Sequence, residues 1–120
     1  MQYSLQGKVI VIGGGNVAID VARTALRIGA EDVHLFCLEP RNEMPAWEKE
    51  VEEALDEGIV INPSWGPKKI LRQGDSVYGV EFVECVSVFD QEGQFNPAFR
   101  EESTQVVETD NIIISIGQAP

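Results

Sequence analysis

Three small residues at fixed spacing, Gly13, Gly15 and Ala18, spell G-x-G-x-x-A. The pattern suits the binding of a pyrophosphate. The first glycine permits a sharp turn, the second lets an anion approach the backbone, and the alanine lets a helix lie close to the preceding strand. Gly14, Asn16 and Val17 complete the turn and open the helix. Unbonded N–H groups and the positive end of the dipole favour a phosphate at such a helix start. A second chemical group follows at a set distance. Glu39 lies 24 residues after Gly15, close to the offset at which an acid accepts hydrogen bonds from the adenosine ribose of a dinucleotide. A carboxylate there repels a 2′-phosphate, which favours NAD over NADP. Arg41 is the opposing signal, because an arginine near this position is how such a site accepts a 2′-phosphate. Asp20, on the first turns of the helix, is either a solvated acid or faces what binds over the glycine turn.

These groups need a strand, a turn and a helix in that order. Lys8 to Ile12 ends in four consecutive β-branched apolar residues, the pattern of a parallel strand covered on both faces. A helix from about Asn16 to Ile28 follows, with Val17, Val21, Ala25 and Ile28 in one apolar row and Ala18, Ala22 and Leu26 in a second. Arg23 and Arg27 suit its end, and Gly29 its stop. The second strand is expected over Asp32 to Leu38, running directly into Glu39. Glu43-Met44-Pro45-Ala46 leads into a second helix, about Ala46 to Glu57, with Trp47, Val51, Ala54 and Leu55 as its buried face. Six acids fill its other faces and read as a solvated surface. Gly58 ends it, and Ile59 to Ile61 is the third strand. The order βαβαβ implies a parallel sheet with right-handed crossovers.

After Pro63 the pattern changes. Lys69 to Leu71, Val77 to Phe89 and Gln105 to Val107 read as antiparallel strands, with a turn at Gln73 to Ser76. A long surface connection is expected from Asp90 to Ser103, marked by Gly93 and Pro97. This meander would cover one face of the sheet. Ile112 to Ile116 reads as a last buried strand returning to the parallel sheet. Gly117 and Gln118 follow its carboxyl end, where ligands of α/β sheets bind. The expected fold is α/β: a Rossmann-like parallel sheet with a three-stranded antiparallel meander on one face.

The 120 residues carry twenty Asp and Glu against nine Lys and Arg, a formal charge of −11. That balance argues against nucleic acid and anionic membrane surfaces as partners. The length favours one domain, and 43% apolar residues suffice for a globular core. No apolar run has the length of a membrane span and no signal peptide opens the chain, so a cytoplasmic location is expected. Cys37 and Cys85 each lie in an apolar run and read as buried thiols rather than a redox pair. One histidine and no C-x-x-C leave no case for a metal site.

Gly13-Gly14-Gly15-Asn16-Val17-Ala18-Ile19-Asp20, Arg41-x-Glu43-Met44-Pro45-Ala46, Glu57-Gly58-Ile59, Asp110 and Ile116-Gly117-Gln118-x-Pro120 occur in this order and spacing. Together they resemble the pyridine-nucleotide-binding domain of FAD-dependent oxidoreductases related to the glutamate synthase small subunit. The resemblance runs from Gly7 to Pro120. It implies an NAD(P)-binding domain cut from a longer flavoprotein, in which NAD(P)H presents its nicotinamide to FAD held by a domain absent from this chain. The FAD-binding domain of the same polypeptide is the implied partner, with an iron–sulfur or other electron-acceptor subunit beyond it. The resemblance carries the pyrophosphate turn to Gly13 through Ala18, places Asp20 near the nicotinamide as an orienting residue, and sets Gly117 and Gln118 in a loop closing near the nucleotide. NADPH-using members commonly carry two adjacent arginines where this chain has Leu38-Glu39. NADH is therefore the expected cofactor, with NADPH as the alternative through Arg41. The isolated chain is expected to bind nucleotide without turning over. Two other classes fit the glycine turn. A nucleotide-sensing regulatory domain with no redox role would need an oligomerisation surface. A methyltransferase using S-adenosylmethionine has no pyrophosphate to place, so the tight turn suits it less.

Overall fold

A computed structural model describes residues 7–116 of the chain. Four parallel strands form the central sheet, in the order β3-β2-β1-β7. They are β1 (Lys8–Ile12), β2 (Asp32–Phe36), β3 (Val60–Asn62) and β7 (Asn111–Ile114). In register, Ile12 lies opposite Phe36 on one side and Ile114 on the other. The carboxyl ends of the three strands are thus level where the chain leaves β1 for the glycine turn. Helix α1 (Asn16–Arg27) connects β1 to β2, and α2 (Glu48–Asp56) connects β2 to β3.

Strand periodicity gives the sheet two different faces. Val9, Val11, Val33 and Leu35 pack against Ala18, Ile19, Ala22 and Ala25 of α1 and Val51 and Ala54 of α2. Small helix residues bring the helices close to the sheet. Across the outside of the helix pair, the Arg23 guanidinium meets Glu57 at 2.7 Å, Glu50 at 3.1 Å and Glu53 at 3.6 Å. Ile10, Ile12 and Phe36 point the other way, onto Val80 and Phe82. There the rings of Phe36 and Phe82 stack with centroids 3.9 Å apart.

Those partners belong to a three-stranded antiparallel sheet, β4 (Trp65–Gln73), β5 (Ser76–Phe89) and β6 (Phe95–Glu108), with β5 in the middle. The expected meander and its first turn are present, but its strands are longer than the sequence suggested. β6 occupies most of the stretch expected to be a surface loop. Only Asp90 to Gln94 turns, with Asp90 Oδ1 accepting from the N–H groups of Glu92 and Gln94. β6 is an edge strand, and most of its residues are exposed. An edge tolerates charges and a proline, and register shifts along β5 absorb the irregularity. β4 likewise runs through Pro67, beside a register shift.

Several expected buried positions are exposed, among them Ile28 at the end of α1. Val17 lies on the part of α1 that overhangs β7, the last strand of the sheet, and is 67% exposed. Trp47, the N-cap residue of α2, is 68% exposed, and Leu55 faces solvent. β7 and β3 are edges rather than buried strands, so Ile114 and Val60 are exposed as well.

Candidate functional site

The glycine turn sits at the carboxyl end of β1, between β2 and β7. The Gly13 N–H donates to the Phe36 carbonyl at 2.9 Å, and the Ser115 N–H donates to the Ile12 carbonyl at 2.8 Å. Gly13 has φ +149°, and a Cβ there would overlap the Ser115 carbonyl oxygen. Its neighbour Ala18 is already close, 3.1 Å from that Cβ position. Both the conformation and the crowding demand glycine. At Gly14 a Cβ would stand 2.8 Å from Glu39 Oε1 and 3.0 Å from the Cys37 Cβ. Gly15 differs: the nearest atom to its Cβ position is Pro45 Cγ, at 4.0 Å. Backbone packing requires Gly13 to be bare, a Cβ at Gly14 would press on the Glu39 and Cys37 side chains, and Gly15 leaves its approach open.

Gly15 is also the N-cap of α1 and offers no side-chain cap. The Ile19 N–H makes the first bond of the helix, to the Gly15 carbonyl at 3.1 Å. The N–H groups before it have no carbonyl one turn back, so the helix start is a ready donor set for an anion.

Glu39 is brought to this turn by the chain after β2. Its carbonyl accepts from the Ser64 N–H at 3.0 Å, and the Cys37 carbonyl accepts from the Trp65 N–H at 2.9 Å. The backbone on both sides of Leu38 is therefore pinned by the β3–β4 connection, and the Glu39 carboxylate lies over Gly14. Beneath them is Cys37, 2% exposed. Burial, reinforced by the Glu39 charge, pushes its thiol up to about 12. Burial also raises the Cys85 thiol. Both cysteines are free, buried and protonated at neutral pH, as the sequence indicated. Beyond Glu39, Leu38, Pro40, Ser64 and the stretch Cys85 to Phe89 line an open depression of about 420 Å³.

Arg41 lies in a single 3-10 turn, Arg41–Glu43. Its guanidinium is held by Glu48 through two hydrogen bonds, at 2.8 and 3.1 Å. The pair raises the Arg41 pKa and lowers that of Glu48, chiefly through those bonds. Asp20 is exposed on α1, where it lines a shallow depression with Val17, Val21 and Ile113 beside β7. Gly117 and Gln118 lie outside the described residues. The structure therefore brings Gly13, Gly14, Gly15, Asn16, Ala18 and Glu39 together, with the Val17 side chain directed outward. It sets Asp20 on the flank and ties Arg41 to α2.

Three contributors escaped the sequence reading: the Cys37 side chain, the Ser115 carbonyl, and the segment before α2. The Ala46 N–H donates to the Gly14 carbonyl at 3.1 Å, and the Trp47 N–H donates to Asn16 Oδ1 at 2.9 Å. The E-M-P-A motif marked that segment, but nothing local tied it to the turn. Among the described residues no group of three or more His, Cys, Asp or Glu side chains could hold a metal, and no helix is long and apolar enough to cross a membrane.

Comparisons with known proteins agree with this geometry. The family described as "Pyridine nucleotide-disulphide oxidoreductase" matches residues 1–120. The NADPH-Fe(3+) oxidoreductase subunit beta of Geobacter sulfurreducens is 42% identical over 115 residues, which cover 94% of this chain and 17% of that protein. The glutamate synthase [NADPH] small chain of Halomonas elongata is 34% identical over 119 residues, covering 98% of this chain and 25% of that one. The chain thus spans a quarter or less of the length of these relatives. Among solved structures, the thioredoxin reductase of T. acidophilum superposes with a TM-score of 0.70 at 21% identity, over 92% of this chain and 31% of that one. That likeness is one of fold alone.

Proposed function

Because the chain belongs to the pyridine nucleotide-disulphide oxidoreductase family, we propose that it is the NAD(P)H-binding domain of a longer flavoprotein. In this reading it holds the nucleotide so that the nicotinamide meets FAD bound by another domain of the same polypeptide. The observation that carries the proposal is the Glu39 carboxylate over the glycine turn, with Oε1 2.8 Å from the Cβ position of Gly14. An anion-binding helix start and a ribose acceptor are thereby adjacent, and the open approach at Gly15 fits a pyrophosphate. The apolar depression beyond Glu39 would receive the adenine. The bound nucleotide supplies the hydride; the chain's own residues bind and orient it. Gly13, Gly14, Gly15 and Ala18 shape the turn, Val17 continues the helix start, Asp20 is assigned to the nicotinamide side, and Gly117 and Gln118 to a loop closing near the nucleotide. Onward electron transfer, to an iron–sulfur or other acceptor subunit, belongs to the rest of the assembly.

For cofactor choice we propose NADH. Glu39 would accept from both ribose hydroxyls and repel a 2′-phosphate, and Arg41 is already neutralised by Glu48. The names of the two relatives specify NADPH, and that alternative requires Arg41 to leave Glu48 for the phosphate. Calorimetric titration of the full-length protein with NADH and NADPH, at one salt concentration, separates the two. Tighter NADH binding that weakens about tenfold or more in Glu39→Ala is expected, from the loss of charge-assisted hydrogen bonds. Tighter NADPH binding, abolished by Arg41→Ala, would reverse the specificity assignment. Binding of neither would remove the functional reading.

A further inference from the structure

Two hydrogen bonds join the start of α2 to the start of α1. The first runs from the Ala46 N–H to the Gly14 carbonyl, and the second from the Trp47 N–H to Asn16 Oδ1. The second bond fixes which way the Asn16 amide faces. Its partner is a donor, so the atom toward Trp47 must be the oxygen, which leaves the two Nδ2 donors on the opposite side of the amide. The first bond fixes the Gly14–Gly15 peptide. In a planar trans peptide the C=O and N–H point in opposite directions. With the Gly14 carbonyl turned onto Ala46, the Gly15 N–H is turned away from Ala46. The intervening Pro45 has no N–H to satisfy, and its Cγ is the nearest atom to the Gly15 Cβ position. Ala46 is buried, so this strap is packed as well as bonded.

We infer that Asn16 and the strap Met44–Trp47 form a clasp that aims the glycine-turn N–H groups at the nucleotide pyrophosphate, with Asn16 acting as a positioning residue through its Oδ1. The inference rests on the nucleotide-binding reading above and adds a division of labour to it. Backbone donors of the turn meet the anion. The Asn16 side chain holds the strap, and the strap holds the Gly14 carbonyl. It also accounts for each residue of Met44-Pro45-Ala46-Trp47 that touches the turn: proline as an unbonded wedge, alanine and tryptophan as N–H donors. Trp47 is 68% exposed because its backbone, not its indole, is what the clasp uses.

The test measures two quantities in the full-length protein. One is hydrogen exchange of the 44–48 segment without ligand. The other is affinity for ADP-ribose, which carries the pyrophosphate without the nicotinamide. Asn16→Ala is expected to speed exchange at Ala46 and Trp47 and to weaken ADP-ribose about tenfold, the scale of one lost hydrogen bond acting on a binding site. Asn16→Asp keeps an acceptor for the Trp47 N–H and should restore slow exchange. Weaker binding in Asn16→Ala with exchange unchanged would overturn the inference and make Asn16 a direct ligand. Faster exchange with affinity unchanged would overturn it too, since the clasp would then position nothing. If the wild-type protein binds no ADP-ribose, NADH or NADPH while Asn16→Ala still speeds exchange, the strap exists but the nucleotide reading fails, and this inference with it.

Discussion

The two faces of the parallel sheet are built by different means. On the helix face, alanines of α1 lie flat on Val9, Val11, Val33 and Leu35, and the closeness of that contact sets the glycine turn against Ser115 and Cys37. On the other face, one aromatic pair and a few branched residues hold a long antiparallel sheet whose outer strand β6 is largely exposed. The helix face is a precise, shallow contact that positions backbone groups. The meander face is an anchor, concentrated where Phe82 stacks on Phe36. The candidate site lies at the end of the sheet where the first kind of packing defines the backbone. The second face contributes through the β3–β4 connection, which pins Glu39.

Removing the anchor is the most severe way to break this contrast. Phe82 is fully buried between the two sheets. Phe82→Ala is expected to cost about 3–5 kcal/mol, the range for truncating a buried aromatic. Denaturant unfolding checks the magnitude. If the anchor is concentrated as described, Val106→Ala, at an exposed position on β6, should shift stability by less than about 0.5 kcal/mol. Comparable losses from both would mean that the meander is held along its whole length.

Gly13→Ala addresses the other face. A side chain at φ +149° is strained, and its Cβ meets backbone rather than a movable side chain. The expected cost is about 1–3 kcal/mol, smaller than for Phe82. Nucleotide binding should nevertheless be lost, because the turn itself must shift. Calorimetry on the folded variant checks this. A Gly13→Ala protein that binds NAD(P)H as the wild type does would show that the turn is not where the anion sits.

The same contrast decided what the sequence could reveal. β1, the glycine turn and α1 follow one another directly in the chain, so their order and the sharp turn at Gly13 were legible. β6 was not, because the stretch from Phe95 to Thr104 looks like loop and is held in a strand by pairing with β5, as of Arg100 with Glu84 and Thr104 with Val83, while Glu101 and Glu102 fall in the register shift between those pairs. Val17 and Trp47 had the right periodicity for burial, but periodicity cannot say where a sheet ends or where a helix begins. The link from Ala46 to Gly14 spans a whole strand and connection, so a motif visible in the sequence had no visible partner.

The smallest effect sharpens the account of the helix pair. Arg23 joins α1 to three carboxylates of α2, and its hydrogen bond holds the Glu57 carboxyl below its usual 4.5. A carboxyl with a depressed folded-state pKa contributes stability that is complete above the unfolded value. That contribution is lost as pH falls through the lower, folded one. The wild type should therefore lose stability as the pH drops below 4.5, and Arg23→Met should already lack this contribution at pH 7. The difference between the two thermal midpoints is expected to be greatest near neutrality and to shrink toward zero in acid. Added salt should narrow it as well, since in the variant Glu50, Glu53 and Glu57 face one another without a cation on a chain of charge −11. A difference that persists unchanged from pH 7 into acid would show that the charge of Arg23 on these carboxylates does not carry the effect.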